Sequence, residues 1–520
     1  MEEPRSFLRE IVRAIGLLPF AARSCLQLGC YLLYFAQPIF IQAALSSTVD
    51  RDALVALVAL ALSLLMPAVI DLINNRTMQD FRRHSKDLVF RRLLRKGYPY
   101  YLERSSSELQ SYLNEVSFAC RNLEDRYVHT FLRMVAMGVL YACSLCLQSV
   151  VLGLAYSLFL AVYLVTSAWL SSRGRSGVGD ALASTAHVNA AIADSVANIG
   201  TVLSLGSEKG EGDRVCGCLE DEASQYRAVQ GRTSTSALAQ GLMVVCFAAV
   251  LLLLAAHWRA SMATTLLMLL YSILNLTGFG SQYLLMCEMF DRLGAALLVL
   301  DLVRVREGSE AVLHDGGARF LELEGVCYAY PCGEAQQLRD KSVSFEKGTV
   351  TALVGPNGSG KSTLLKVMAG LLAPDSGHLL VPYDAPCRTM LIGQGVTLFN
   401  RSLAENLFYP EAAGDVDLAM HLVTEIGLDK VVSSKRQLFS LTPGDLSGRV
   451  SGGELQKVQI LRAILYRPDV LLCDEITSGL DAASVECFYQ MLHRHLPDTT
   501  VVCVVHREDE LKYFDAVLTM

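Results

Sequence analysis

Charged residues are scarce in this chain. Asp, Glu, Lys and Arg make up only 19% of its 520 residues, against 52% hydrophobic, and mean hydropathy is +0.35. Soluble chains carry about 25% charged residues, so an ordinary soluble globule is excluded and the balance points to a membrane. A basic excess is also missing. The formal net charge is −7, which leaves no electrostatic footprint for a nucleic-acid partner. Fifteen cysteines are present, but they lack the regular spacing of a disulfide framework, which fits reduced thiols in membrane or cytosol. No stretch reads as a cleaved signal peptide, and the acidic start Met1-Glu2-Glu3 argues against a mitochondrial presequence. Internal repeats and low-complexity tracts are absent. The length exceeds one ordinary domain.

What is there divides unevenly. A spanning helix needs roughly 20 apolar residues, and such runs occur at Ser24–Ala44, Ala53–Ile73, Phe131–Gln148, Val150–Leu170, Ala237–His257 and Met262–Phe290. The third and fourth runs are joined by almost nothing and predict a tight hairpin. Short links at Ser46–Arg51, Gln148–Ser149 and His257–Ser261 alternate with long polar segments at Asn74–Thr130 and Ser171–Ser236. The long segments carry eleven and six Lys or Arg, while the short links carry Arg51 and Arg259. Lys and Arg collect on the cytoplasmic side, which places the long segments and both termini there. Each long segment is too long for a structureless loop. The spans are therefore predicted to continue about 25 residues beyond the membrane as helices and return, with turn tips near Gly97–Arg104 and Asn198–Gly212. Before the first run, Phe7, Leu8, Ile11, Val12 and Ile15 share a helical face, with Arg5, Arg9 and Arg13 among the polar positions, which predicts an interfacial helix.

After residue 301 the composition changes. The reading is a transmembrane domain over 1–305, a linker over 306–319 and a second domain over 320–520, in which β-rich runs alternate with helical patterns. Strands are predicted at Thr349–Val354, Thr389–Ile392, Val470–Cys473 and Thr500–Val505, the rhythm of an α/β domain with a largely parallel sheet.

Gly355-Pro356-Asn357-Gly358-Ser359-Gly360-Lys361-Ser362 is a complete phosphate-binding loop between a predicted strand and a predicted helix opening at Thr363. Its glycines let backbone N–H groups turn toward phosphate, Lys361 reaches the β- and γ-phosphates, and Ser362 ligates Mg²⁺. About 110 residues on, Val470-Leu-Leu-Cys-Asp474-Glu475 is an apolar run ending in two carboxylates. Asp474 is the candidate for holding Mg²⁺ through water, and Glu475 for polarising the attacking water of phosphoryl transfer.

Between these two motifs, Val450-Ser451-Gly452-Gly453-Glu454 resembles the signature of ATP-binding-cassette (ABC) proteins. The resemblance implies the following roles. Tyr330, in Tyr328-Ala-Tyr330-Pro331, stacks on adenine. Gln394 ligates Mg²⁺ and couples it to the membrane domain. Ser451, Gly452, Gly453 and Glu454 meet a γ-phosphate held by a partner chain. Ser478-Gly-Leu-Asp481 signals across the dimer, and His506 contacts the γ-phosphate. Tyr100-Tyr101-Leu-Glu103 with Glu108-Leu109, and Gly200–Gly206 with Glu208-Lys209, resemble the coupling turns of the exporter type. The implied protein is a half-transporter: a six-span α-helical membrane domain plus an α/β P-loop ABC ATPase domain. Its cofactors are ATP and Mg²⁺ and its partner is a second copy of itself or another half-transporter. It moves a small-molecule substrate across a membrane, with the ATPase domain cytoplasmic. An ATP-gated channel or regulatory ABC protein that does not pump is the alternative. Leu274-Asn275 and Gly280–Tyr283 resemble the mitochondrial iron–sulfur and heavy-metal tolerance group.

Some positions depart from the family pattern. Val450 stands where leucine is usual, Cys473 where an aliphatic residue is usual, and the C-terminal helical tail is expected to be missing. Cys143-Ser-Leu-Cys146 and Cys216-Gly-Cys218 read either as thiol or metal relays or as small packing residues. Tyr271, Asn275, Gly278 and Gln282 share one face of the sixth run and either line the pathway or pack helices.

Overall fold

The computed structural model describes residues 2–37, 39–40, 50–102, 104–174, 177–257, 282–283, 285–300, 312–314, 319–330, 337–382, 387–393, 395, 398–411, 413–442 and 452–520. The chain divides into two compact units, Met1–Lys96 with Tyr100–Val305, and Arg306–Met520 with Gly97–Pro99.

Among the described residues the first unit is helical. Helices α1 (Glu2–Ile15) and α2 (Leu17–Phe35) meet at an angle of 95°. Then come α3 (Asp50–Leu94), the short α4 (Tyr98–Leu102), α5 (Ser106–Arg126), a π-helical turn at Tyr127–Leu132, α6 (Arg133–Gln148) and α7 (Val150–Gly174). They are followed by α8 (Val178–Ala197), α9 (Ile199–Ser204), α10 (Glu208–His257) and α11 (285–299). Helices of 45 and 50 residues reach about 70 Å at 1.5 Å per residue, more than twice the apolar core of a bilayer. The polar segments therefore continue the spans as helices, and the chain turns back at α4 and α9.

Among the described residues four helices are long and apolar enough to cross a membrane, or five if the bent pair α1–α2 is one span. The predicted sixth run, together with Tyr271, Asn275 and Gly278, lies outside the described residues up to residue 281. Gln282 is described, and its side-chain oxygen accepts from the Arg126 guanidinium. The third and fourth spans form the expected hairpin. They approach so closely that a Cβ at Gly153 would lie 2.0 Å from Cys146 Sγ.

One membrane core gathers Phe35, Ile70, Met137, Tyr141, Leu152, Tyr156, Tyr163 and Leu251. A second, among the extensions, gathers Phe7, Ile11, Val89, Val116, Leu182 and Leu293. Polar bonds fix the helices in register. Arg292 of α11 donates to Glu115 of α5 at 3.0 Å and to the Tyr226 hydroxyl of α10 at 3.0 Å.

The second unit holds two sheets. A five-stranded parallel sheet has the order β6 (Thr389–Ile392), β7 (Val470–Asp474), β8 (Thr500–Val504), β4 (Val350–Val354), β9 (Ala516–Thr519). Every residue of β7 and β8 is buried, as expected for central parallel strands covered on both faces by helices. The second sheet has the order β1 (Val312–His314), β5 (Ser376–Pro382), β2 (Arg319–Tyr328), β3 (Leu338–Glu346), and its β2 pairs antiparallel with both neighbours. The sequence reading, which held only the parallel rhythm, had not anticipated this sheet. Its β2 and β3 alternate polar with apolar, a weaker signal than an unbroken apolar run, and β5 reaches its place between β1 and β2 only after β4 and the helix that follows it. Packed on the sheets are α12 (Lys361–Met368), α13 (Leu403–Phe408), α14 (Val416–Glu425), α15 (Lys435–Ser440), α16 (Gly452–Tyr466) and α17 (Ala482–His495). The segment predicted as linker lies largely outside the described residues, with β1 inside it.

Candidate nucleotide site

The site sits at the carboxyl ends of β4, β7 and β8, where ligands bind in open α/β sheets. β4 is buried at Val350–Leu353 and runs straight into the phosphate loop. Gly360 closes that loop at φ 94°, and a Cβ there would lie 2.7 Å from the Gln337 carbonyl oxygen. Only glycine fits both the backbone and the space. α12 begins directly after it with no side-chain cap, so its first-turn N–H groups and positive dipole end face the loop.

The Lys361 ammonium donates to the Gly355 and Pro356 carbonyls at 2.8 and 2.9 Å. The Ser359 hydroxyl is buried with no partner among the described residues. An uncapped helix start, a lysine folded into the loop and an orphaned hydroxyl are the donors a polyphosphate needs, so the residues fit ATP. Asn357 and Gly358 are exposed at the loop's crest, and Thr363 lies 3.5 Å from the Tyr330 hydroxyl. Tyr330 packs edge-on against Tyr328, ring centroids 5.1 Å apart.

β7 delivers the two carboxylates. Asp474 accepts from the Ser362 hydroxyl at 3.1 Å. Burial pushes its carboxyl above the ordinary range, the Ser362 hydrogen bond pulls it back, and the neighbouring Glu475 charge adds to the rise. A carboxylate and a hydroxyl held this close at the loop's end form a donor set suited to Mg²⁺ beside a phosphate.

Glu475 adopts φ 56°, a left-handed conformation costing a non-glycine residue about 1–3 kcal/mol. The strand stops there, and the Glu475 carboxylate meets His506 Nε2 at 2.6 Å. β7 pairs with β8 in register, Asp474 opposite Val504, so each strand presents its functional residue just beyond the same sheet edge. The structure thus brings together Lys361, Ser362, Asp474, Glu475 and His506 within one chain. Gln394 and Ser451 lie outside the described residues.

Gly452, Gly453 and Glu454 form the first turn of α16. A Cβ on Gly453 would lie 2.6 Å from the Gly479 carbonyl oxygen, so this helix start is in contact with the Ser478–Asp481 loop. Asp481 caps α17 by accepting from the Ser484 N–H at 2.9 Å.

One residue escaped the sequence reading. Glu510, only 1% exposed, accepts from the Thr477 hydroxyl at 2.9 Å and the Tyr489 hydroxyl at 3.0 Å. It thereby ties the turn after Glu475 to α17 and to the segment after His506. A Glu within the run Arg507-Glu508-Asp509-Glu510 reads as solvated surface, and no sequence signal marks it. Glu510→Ala would strand two buried hydroxyls at about 1–3 kcal/mol each. The expected result is a lower melting temperature with ATP hydrolysis falling in parallel, whereas Glu510→Gln, which keeps an acceptor oxygen, stays near wild type. Thermal unfolding of the full chain alongside its ATPase rate checks both.

Comparisons with known proteins extend this picture. The family described as "ABC transporter transmembrane region" matches residues 20–281, half of the chain, and the family "ABC transporter" matches residues 338–478. The chain is 34% identical over 216 residues to an ATP-dependent lipid A-core flippase of Xylella fastidiosa strain 9a5c, covering 39% of this chain and 37% of that protein. It is 30% identical over 347 residues to mitochondrial ATP-binding cassette sub-family B member 10 of Mus musculus, covering 61% of this chain and 47% of that protein. The chain thus spans less than half the length of these curated relatives. Among solved structures, a bacterial Atm1-family ABC exporter with ATP bound superposes with a TM-score of 0.82 at 18% identity, covering 98% of this chain and 93% of that chain. An ABC ATPase domain implies ATP binding, and the transmembrane match makes this a multi-pass integral membrane protein. With the phosphate loop, the paired carboxylates and the apolar helices in one polypeptide, the chain belongs to the ABC transporter family.

Proposed function

We propose that the chain is an exporter-type half-transporter that couples ATP hydrolysis to movement of a solute across a membrane, working as a dimer. The observation that carries this reading is the Glu475–His506 pair at 2.6 Å, beside the Lys361–Ser362–Asp474 cluster, in a chain that also supplies membrane helices.

In this reading Tyr330 packs on adenine and the loop 355–363 holds the phosphates. Ser362, Asp474 and Gln394 would hold Mg²⁺, which supplies charge neutralisation between the phosphate oxygens. Glu475 orients the attacking water and accepts its proton, and His506 holds the Glu475 carboxylate and faces the transferring phosphoryl group. Ser451–Glu454 of a second copy would close the site, so that two chains build two sites and their closure moves the helical extensions. The arginine-rich polar segments support a cytoplasmic ATPase domain. The family matches and the similarity to a lipid A-core flippase support transport, and the Atm1-family fold supports the exporter architecture.

The alternative, an ATP-gated channel or regulator, predicts that a catalytic group has no part to play, and here Glu475 and His506 are both present and paired. Reconstitution of the full chain in liposomes separates the two. Solute accumulation against its gradient, requiring ATP and abolished in Glu475→Gln, is expected. Downhill flux that ATP switches on equally in wild type and Glu475→Gln would establish the channel.

A further inference from the structure

α1 buries one face and leaves another charged. Phe7 and Ile11 are each 1% exposed and pack in the core shared with Phe81, Val89 and Leu293. Glu10 is engaged by the Arg92 guanidinium at 2.5 Å. On the far side Arg5, Arg9 and Arg13 repeat at i, i+4 and i+8, forming a ladder about 12 Å long. All three are exposed, and none has a hydrogen bond or acidic partner among the described residues. Like charges at this spacing repel, so the row favours an anionic partner.

Its surroundings say which. The three arginines line a cleft of about 490 Å³ together with Leu8, Val12 and Leu17. At the 95° bend into α2, Leu17 and Leu18 stand 65% and 82% exposed. The cleft therefore offers guanidinium forks to an anion and aliphatic side chains to whatever is attached to it, next to a bent helix pair long and apolar enough to cross a membrane. A free anion makes no use of the leucines, and a neutral lipid none of the arginines.

We propose that this cleft is a binding site for the phosphate headgroup of an anionic phospholipid. The arginines hold the phosphate oxygens, and Leu8, Val12, Leu17 and Leu18 meet the acyl chains. The site anchors the start of the membrane unit in the bilayer surface, and it depends on membrane residence rather than on the transport reading.

The test uses the full chain in phosphatidylcholine vesicles, with spin-labelled phosphatidylglycerol or spin-labelled phosphatidylcholine as probe. The fraction of each probe immobilised at the protein is read by electron paramagnetic resonance. Wild type should prefer phosphatidylglycerol by about fivefold, the equivalent of one effective cation–headgroup contact. The triple variant Arg5→Gln/Arg9→Gln/Arg13→Gln should lose most of that preference, and the triple lysine variant should keep it in part. Equal immobilisation of the two probes by wild type overturns the proposal, as does undiminished preference in the glutamine variant. Displacement of phosphatidylglycerol by inorganic phosphate at millimolar concentration assigns the cleft to a free anion and also overturns it. Should the triple variant fail to fold, Arg9→Gln, in the middle of the row, carries the same comparison. ATP hydrolysis measured on the same vesicles keeps the outcomes apart, because lipid preference without hydrolysis would sink the transport reading alone.

Discussion

Glu475→Gln is expected to bind ATP with near wild-type affinity while its turnover falls by about 10²–10⁴-fold, the range for losing a positioned general base. The substitution keeps side-chain size and one acceptor oxygen, so the hydrogen bond from His506 can survive with its Nε2 protonated. What it removes is the negative charge and the second oxygen that orient the water. The binding groups lie elsewhere, on Lys361, the loop backbone and the start of α12. A closed, ATP-loaded state should accumulate, because closure depends on nucleotide and its release on hydrolysis. Equilibrium binding of a fluorescent ATP analogue and phosphate release measured side by side decide the matter. Wild-type turnover in Glu475→Gln would remove Glu475 from the chemistry and leave its left-handed backbone at φ 56° without a functional account.

A mixture of two inactive subunits should recover activity. Lys361→Ala removes the ammonium from the phosphate loop and Ser451→Arg blocks the signature, and each is expected to abolish hydrolysis by itself. If each complete site takes its loop from one chain and its signature from the other, a mixed dimer contains one wholly intact site and one doubly damaged site. ATPase activity measured after mixed reconstitution should then rise from background to a definite fraction of wild type, below one half where the sites are coupled. Affinity tags on the two subunits show whether mixed dimers have formed. A monomer with full ATPase activity would exclude the composite site.

The sequence by itself determined the parts whose chemistry is contiguous. Eight consecutive residues hold the whole phosphate loop because successive backbone N–H groups must converge on one phosphate. The strand ending in Asp474-Glu475 was legible because a central parallel strand must be apolar on both faces. The four or five spans among the described residues, and their extensions, were legible because a membrane core demands an apolar run and a long polar segment rich in helix formers has few other ways to be satisfied. The amphipathic pattern of α1 was visible in its periodicity, whereas the protein core of Phe81, Val89 and Leu293 that receives its apolar face was not.

Tertiary structure decided what depends on which strands are neighbours. Asp474 lies opposite Val504 only because β7 and β8 are adjacent and in register, and that register brings Glu475 to His506 across 31 positions. Nothing in either local sequence encodes strand order, which is set by the packing of all five strands and their covering helices. The same holds for the second, mixed sheet, whose β5 pairs with β2 although β3, β4 and the phosphate loop lie between them in the chain. Gly453 needs to be glycine only once the Gly479 carbonyl is placed against it. Glu510 reads as a surface acid until the fold buries it against Thr477 and Tyr489, where desolvation leaves those hydroxyls no other acceptor.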